Sequence, residues 1–257
     1  MSSFANAGLL VRRSVSRTLR QPANLVFSFV FPLILLAVNS GGLTSATKIP
    51  GFPTDSYLTF ALAVPFMQGA LFASNSAGTN IAEDIESGFL SRLSLTPLTR
   101  GGLLVGQLAG VVALGLMQAC VFLAVGEAAG AGFEAGPLGV PVLLALSMLI
   151  TLGFGSIGAL AALRTGSGEA VQGLFPLLFV LLFLSSNALP RNLIETDWFR
   201  TIATYNPVSY LIEAIRSLLI TGWDGEALAL GFGCAIGIAA VGVWASSRAL
   251  RTRMLRT

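Results

Sequence analysis

The chain of 257 residues contains no histidine, two cysteines and only 11% charged residues, against roughly 25% in soluble domains. Each scarcity closes a class of function. Without an imidazole there is no histidine metal ligand, no Ser-His-Asp triad and no histidine general base. The charges are too few to cover a water-exposed two-domain enzyme. Cys120 and Cys234 lie inside apolar runs, where they read as small hydrophobes and define no disulfide. The single lysine, Lys48, stands in SATKIP, so no G-x-x-x-x-G-K-[ST] loop exists and ATP phosphates are not cradled in that manner. A net charge of only +3 with high hydrophobicity excludes intrinsic disorder. The basic residues sit near the two ends and in short gaps, which is not the footprint of a nucleic-acid binder.

What remains is apolar: 54% hydrophobic residues and a mean hydropathy of +0.80. A helix needs about 20 apolar residues to cross the hydrocarbon core. Six stretches reach that length: about 25–43, 57–81, 102–125, 138–163, 170–189 and 227–247. The first exceeds a signal-peptide core and is read as a retained span. With the N-terminus inside, eleven basic residues fall on inner segments, and only Lys48, Arg191, Arg200 and Arg216 on outer ones. That asymmetry predicts cytoplasmic termini, as an even number of crossings requires. The expected fold is therefore an all-α integral membrane protein, one six-span domain.

Three segments between the spans carry the remaining information. Residues 1–23 place Phe4, Val11, Val15 and Leu19 near one helical face, and Arg13, Arg17 and Arg20 on another, before Pro22. They form either an amphipathic helix on the cytoplasmic surface or a plain basic flank. Residues 83–100, EDIESGFLSRLSLTPLTR, begin with Glu83, Asp84 and Glu86 and continue through Phe89, Leu90, Arg92, Leu93 and Leu95 to Pro97. Acids at a helix start suit the macrodipole, and the apolar residues need a surface to press on. The expectation is a short docking helix, with a solvated connecting loop as the alternative. Residues 190–226 hold Trp198, Phe199, Tyr205 and Tyr210, an interfacial aromatic set. After Asn206-Pro207, helical spacing of Val208, Leu211, Ile212, Ile215, Leu218 and Leu219 predicts a helix too short to span, closed by Gly222. It reads as a re-entrant element in the outer leaflet, with Glu213 and Arg216 placed to pair.

Glu83-Asp84-Ile85-Glu86-Ser87-Gly88-Phe89-Leu90, continuing to Thr96-Pro97-Leu98, together with Asn206-Pro207-Val208-Ser209-Tyr210 and Glu213-Ala214-Ile215-Arg216, resembles the permease subunit of ABC-2 type ABC exporters. The resemblance covers essentially the whole chain and is closest to the drug- and antibiotic-exporting branch with a separate ATPase subunit. Phe89-Leu90 departs from the Thr-Leu or Thr-Phe of many relatives. The resemblance implies a permease that is no enzyme by itself and binds no cofactor, with ATP and Mg on cytoplasmic ABC ATPase partners. A second permease copy or homologue completes the assembly in a bacterial cell membrane. Glu83, Asp84, Glu86, Phe89, Leu90, Arg92 and Leu93 would couple to the ATPase. Asn206, Pro207, Tyr210, Glu213 and Arg216 would build the outer gate.

Small residues recur every fourth position at Gly102, Gly106 and Gly110, at Ser147, Thr151, Gly155 and Ala159, and at Ala229, Gly233 and Gly237. Such faces allow close helix approach. Gln68 and Asn75 share one face of the second span and are the candidate pathway residues. No acidic residue falls near the middle of a span, which weighs against an ion-coupled carrier. A membrane protease is disfavoured by the missing histidine and the missing mid-span aspartate pair. An apolar pathway suits hydrophobic or amphiphilic cargo of drug type, with a glycan or lipid as the alternative cargo.

Overall fold

The computed structural model describes residues 8, 11–17, 22–89, 92 and 100–254. Phe4, Leu19, Arg20, Leu90, Leu93, Leu95 and Pro97 lie outside the described residues. The described part is all-helical. Helix α1 is Pro22–Gly42, α2 Tyr57–Ala61, α3 Ala63–Glu86, α4 Arg100–Ala128, α5 Gly136–Thr165 and α6 Gly168–Phe183. Two short helices, α7 (Asp197–Tyr205) and α8 (Pro207–Arg216), precede the long α9 (Gly225–Met254).

Among the described residues, five stretches are long and apolar enough to cross a membrane: Leu25–Gly42, Tyr57–Glu86, Gly102–Ala128, Gly136–Thr165 and Gly225–Met254. The expected fifth span differs. Its helix α6 stops at Phe183 after 16 residues, about 24 Å at 1.5 Å per residue, short of the ~30 Å hydrocarbon core. The second span differs as well. It breaks at Leu62 into α2 and α3, and α3 runs on through Glu83, Asp84 and Glu86. The acids therefore end a helix rather than start one, where the macrodipole opposes them.

Local chemistry sets the ends. Ser56 caps α2 by accepting from the Thr59 amide at 3.3 Å, and Asp224 caps α9 by accepting from Glu226 and Ala227. Gly166, with φ +73°, terminates α5 in the left-handed conformation.

Helix α3 is the centre of the bundle, flanked by α1, α4, α5, α6 and α8. Its contact with α5 is backbone on backbone. A Cβ on Gly158 would lie 1.9 Å from the Ser74 carbonyl oxygen. A Cβ on Gly78 would lie 2.8 Å from the Gly158 carbonyl and 2.4 Å from Val171. One apolar cluster joins Ile81, Leu103, Leu163, Val171 and Leu250. It brings the end of α3, the start of α4, the end of α5, the start of α6 and the end of α9 to the same end of the molecule. A larger cluster holds Phe60, Leu143, Leu182, Leu211 and Leu219, and a small third one joins Ala73, Ala77, Val111 and Leu114.

Candidate functional site

Two polar constellations interrupt this apolar bundle, one at each end. At the first, the last turn of α3 meets the helical residues 11–17. Asp84 is buried, at 5% exposure, and accepts from Arg13 Nη2 at 3.0 Å and Arg17 Nη1 at 2.7 Å. Arg17 also pairs with Glu83 and reaches the Asn80 carbonyl at 3.4 Å. These cations neutralise carboxylates that the helix C-terminus would otherwise repel. The Arg13 guanidinium also lies 3.8 Å over the Phe89 ring, a cation–π contact. Ser14 completes the seat, donating to the Gln107 carbonyl at 3.0 Å and accepting from the Gly110 amide at 3.3 Å. Only glycine admits it, since a Cβ on Gly110 would lie 2.7 Å from the Ser14 carbonyl oxygen. Glu86 and Arg92 are exposed, and Arg92 donates to the Ser87 carbonyl. The basic segment thus spends two arginines on the chain's own acids.

At the opposite end, α6 gives way to an irregular turn, 184–187, whose carbonyls need donors. Asn206 supplies two bonds through Nδ2, to Leu181 at 2.6 Å and Leu184 at 3.1 Å, while its Oδ1 caps α8 at the Val208 amide. Pro207 takes the first helical position, where its missing N–H costs nothing. Tyr210 bridges the same joint, its hydroxyl donating to Thr204 at 2.8 Å. Ser209 accepts from the Ser186 amide at 3.0 Å. Arg216, buried, donates Nε to Phe60 at 3.0 Å and its two Nη groups to the carbonyls of Ser186 and Asn187. Its guanidinium plane lies 3.5 Å from the Phe60 ring centroid.

The expected Glu213–Arg216 pair does not form. Glu213 pairs with Arg191 instead, because Arg216 turns inward to the carbonyls. Burial acts against the Arg191 charge and Glu213 favours it; the net effect holds its guanidinium above the ordinary range. Beyond Arg216 the backbone widens into a π-turn, Ser217–Thr221. Its Leu218 and Leu219 carbonyls accept from the Ala135 and Glu134 amides. The α8 wedge is thus anchored to α2, to the α6 turn and to the 134–135 connection. A cleft of about 400 Å³ beside it is lined by Phe60, Arg191, Glu213, Arg216 and Asp224.

Gln68 is buried and Asn75 half-buried on α3, each with an amide oxygen lacking a hydrogen-bond partner. Neither lines the cleft beside α8. Phe60, Ser186 and Asn187 escaped the sequence reading, and Arg191 entered it only as an outer-segment charge. The polar triplet Ser185-Ser186-Asn187 directly after an apolar run was the available signal.

A family model described as ABC-2 type transporter matches residues 6–220. A probable doxorubicin resistance ABC transporter permease protein, DrrC, of Mycobacterium tuberculosis is 24% identical over 217 residues, 83% of this chain and 76% of the relative. Putative transport permeases ycf38 are similar too. That of Porphyra purpurea is 26% identical over 84% of this chain and 74% of its own length. That of Pyropia yezoensis is 28% identical over 81% and 72%.

Proposed function

The chain belongs to the ABC-2 type transporter family, and from that premise we propose that it is the permease subunit of an ATP-driven exporter of hydrophobic or amphiphilic cargo. The observation that carries the reading is the pair of polar constellations at opposite ends of an otherwise apolar bundle. In this reading the Arg-rich end is cytoplasmic and faces a separate ATPase, with a second permease copy or homologue completing the transporter. Closure of the ATPase pushes on the exposed Glu83, Glu86 and Arg92 and the half-buried Phe89, with Leu90 and Leu93 following in sequence. Asp84 and residues 11–17 carry that push into α3 and α4.

At the other end, Asn206, Pro207, Tyr210, Glu213 and Arg216 form the outer gate. Irregular backbone is tolerated at membrane depth only where protein satisfies it. Asn206 and Arg216 do so for the α6 turn, which supports reading α6 and residues 184–187 together as the sixth crossing. Gln68 and Asn75 hold unsatisfied acceptors, each costing ~1–3 kcal/mol. We assign them to the wall that cargo or water meets when α3 parts from its neighbours.

The test is transport. The chain is co-purified with its ATPase, reconstituted in vesicles, and assayed with doxorubicin, the drug named for the mycobacterial relative. ATP should drive uptake into inside-out vesicles, and E83Q/E86Q should reduce it at least fivefold with the complex intact. Uptake driven by an ion gradient without ATP would overturn the reading.

A further inference from the structure

A third polar feature belongs to neither constellation. Between the last turns of α5 and α9 lies a cleft of about 630 Å³, lined in part by Leu163, Arg164, Trp244, Arg248, Thr252 and Arg253. Three guanidinium groups line it and no carboxylate does. None of the ion pairs among the described residues uses Arg164 or Arg248. This contrasts with Arg13 and Arg17 at the same end, which have acids of their own.

Two of the three arginines, Arg253 and Arg248, are also held in place. Arg253 donates Nη1 to the Leu163 carbonyl at 3.0 Å and packs over the left-handed Gly166, where a Cβ would lie 2.5 Å from its Nη2. Arg248 lies 4.2 Å over the Trp244 ring. Trp244 itself is 56% exposed, on a helix long and apolar enough to cross a membrane. Tryptophan one turn before arginine is the composition of a helix passing from hydrocarbon into the headgroup layer. Arg164 and Arg248, like charges lining one cleft, repel one another unless an anion enters. Leu163, Ala245 and Ala249 supply an apolar floor beside them.

We propose that this cleft binds the headgroup of an anionic phospholipid, its phosphate accepting from Arg164 and Arg248 and its glycerol and upper acyl carbons lying on Trp244 and the apolar floor. The recognising chemistry is that of any phosphate ester held by arginines. The lipid is favoured over free phosphate because the apolar floor and the tryptophan adjoin the charges. Basic pockets between membrane helices are suited to such headgroups. The site rests on membrane insertion alone, so it stands or falls separately from the exporter reading.

The test titrates the full-length chain in detergent with phosphatidylglycerol, phosphatidylcholine or inorganic phosphate, and counts bound lipid by native mass spectrometry. Phosphatidylglycerol should bind at least tenfold more tightly than phosphatidylcholine. R164Q/R248Q should weaken it about twenty-fivefold, at about fivefold for each interfacial arginine removed. R251Q, an exposed arginine outside the cleft lining, should leave the preference unchanged. Should the double variant not fold, R164Q and R248Q are read singly, about fivefold each. Three results overturn the proposal: equal binding of the two lipids, displacement of lipid by millimolar phosphate, or a loss in R251Q as large as in R248Q. A double variant that keeps its lipid and loses the ATPase partner would make the cleft a protein contact and equally overturn it.

Discussion

Arg216 shows what a single residue holds in this fold. It is buried among apolar side chains, and its three hydrogen bonds go to carbonyls from two separate elements, Phe60 in α2 and the Ser186–Asn187 turn. Lysine carries the charge but not the fork. Removing the donors leaves buried carbonyls unpaired at ~1–3 kcal/mol each. R216Q should therefore cost about 3 kcal/mol or more, and R216K nearly as much, measured as loss of folded chain in a detergent thermal-stability assay. Equal stability of R216K and the parent would show that charge, not geometry, is what the site needs. Asp84 and Glu83 make a second residue-scale contrast. Both carboxylates meet Arg17, yet the Asp84 side chain is 7% exposed and the Glu83 side chain 59%. Exposed pairs are worth about 0–1 kcal/mol, whereas unpairing a buried one costs several times more. D84N should free residues 11–17 and raise the rate of tryptic cleavage after Arg13 and Arg17 about tenfold or more, while E83Q should leave it within about twofold. The reverse order would place the anchor on Glu83.

At the scale of elements, the decisive contact is the α3–α5 crossing. Gly158 and Gly78 bring the two backbones together, and no side-chain rearrangement makes room for a Cβ 1.9 Å from a carbonyl oxygen. G158A should abolish accumulation of folded chain, measured as monodisperse protein after solubilisation, while G233A, where nothing lies within 4 Å, should be neutral. The same elements mark how far sequence reasoning reaches. Apolar run length located every long helix, since length and hydropathy are local properties. The small-residue faces were visible as well, and two of the three are occupied inside the subunit: Gly110 meets Ser14, and Gly115 meets Thr151 at 2.2 Å from a hypothetical Cβ. The third, at Gly233 and Gly237, is open. Sequence spacing does not say which neighbour a face will meet, so the Gly158 crossing was not singled out. The acids at 83–86 looked like a helix start because their compensating arginines lie some 70 positions away in the chain. Glu213 and Arg216, three apart, suited a local pair; burial of Arg216 beside three carbonyls redirected both.

For the whole molecule, the number of bilayer crossings turns on α6. Helix α6 begins beside the Arg-rich end, with Val171 in the cluster of Ile81 and Leu163. Its far end leads to Ser186, bonded by Arg216 next to Phe60 at the start of the α2–α3 stretch. It therefore traverses the bundle despite its 16 residues. Residues 184–187 continue its path beyond Phe183, and their backbone is bonded by Asn206, Ser209 and Arg216. If this arrangement is a sixth crossing, Thr165 and Glu195 lie on opposite sides and Thr252 returns to the side of Thr165. All three are exposed. In a C120S/C234S background, an impermeant maleimide added to intact cells should label Glu195→Cys. Thr165→Cys and Thr252→Cys should react only after lysis. Labelling of Thr165→Cys and Glu195→Cys from the same side would reduce α6 to a re-entrant helix and leave five crossings, placing the two termini on opposite sides and separating the Arg-rich ends that the apolar cluster joins.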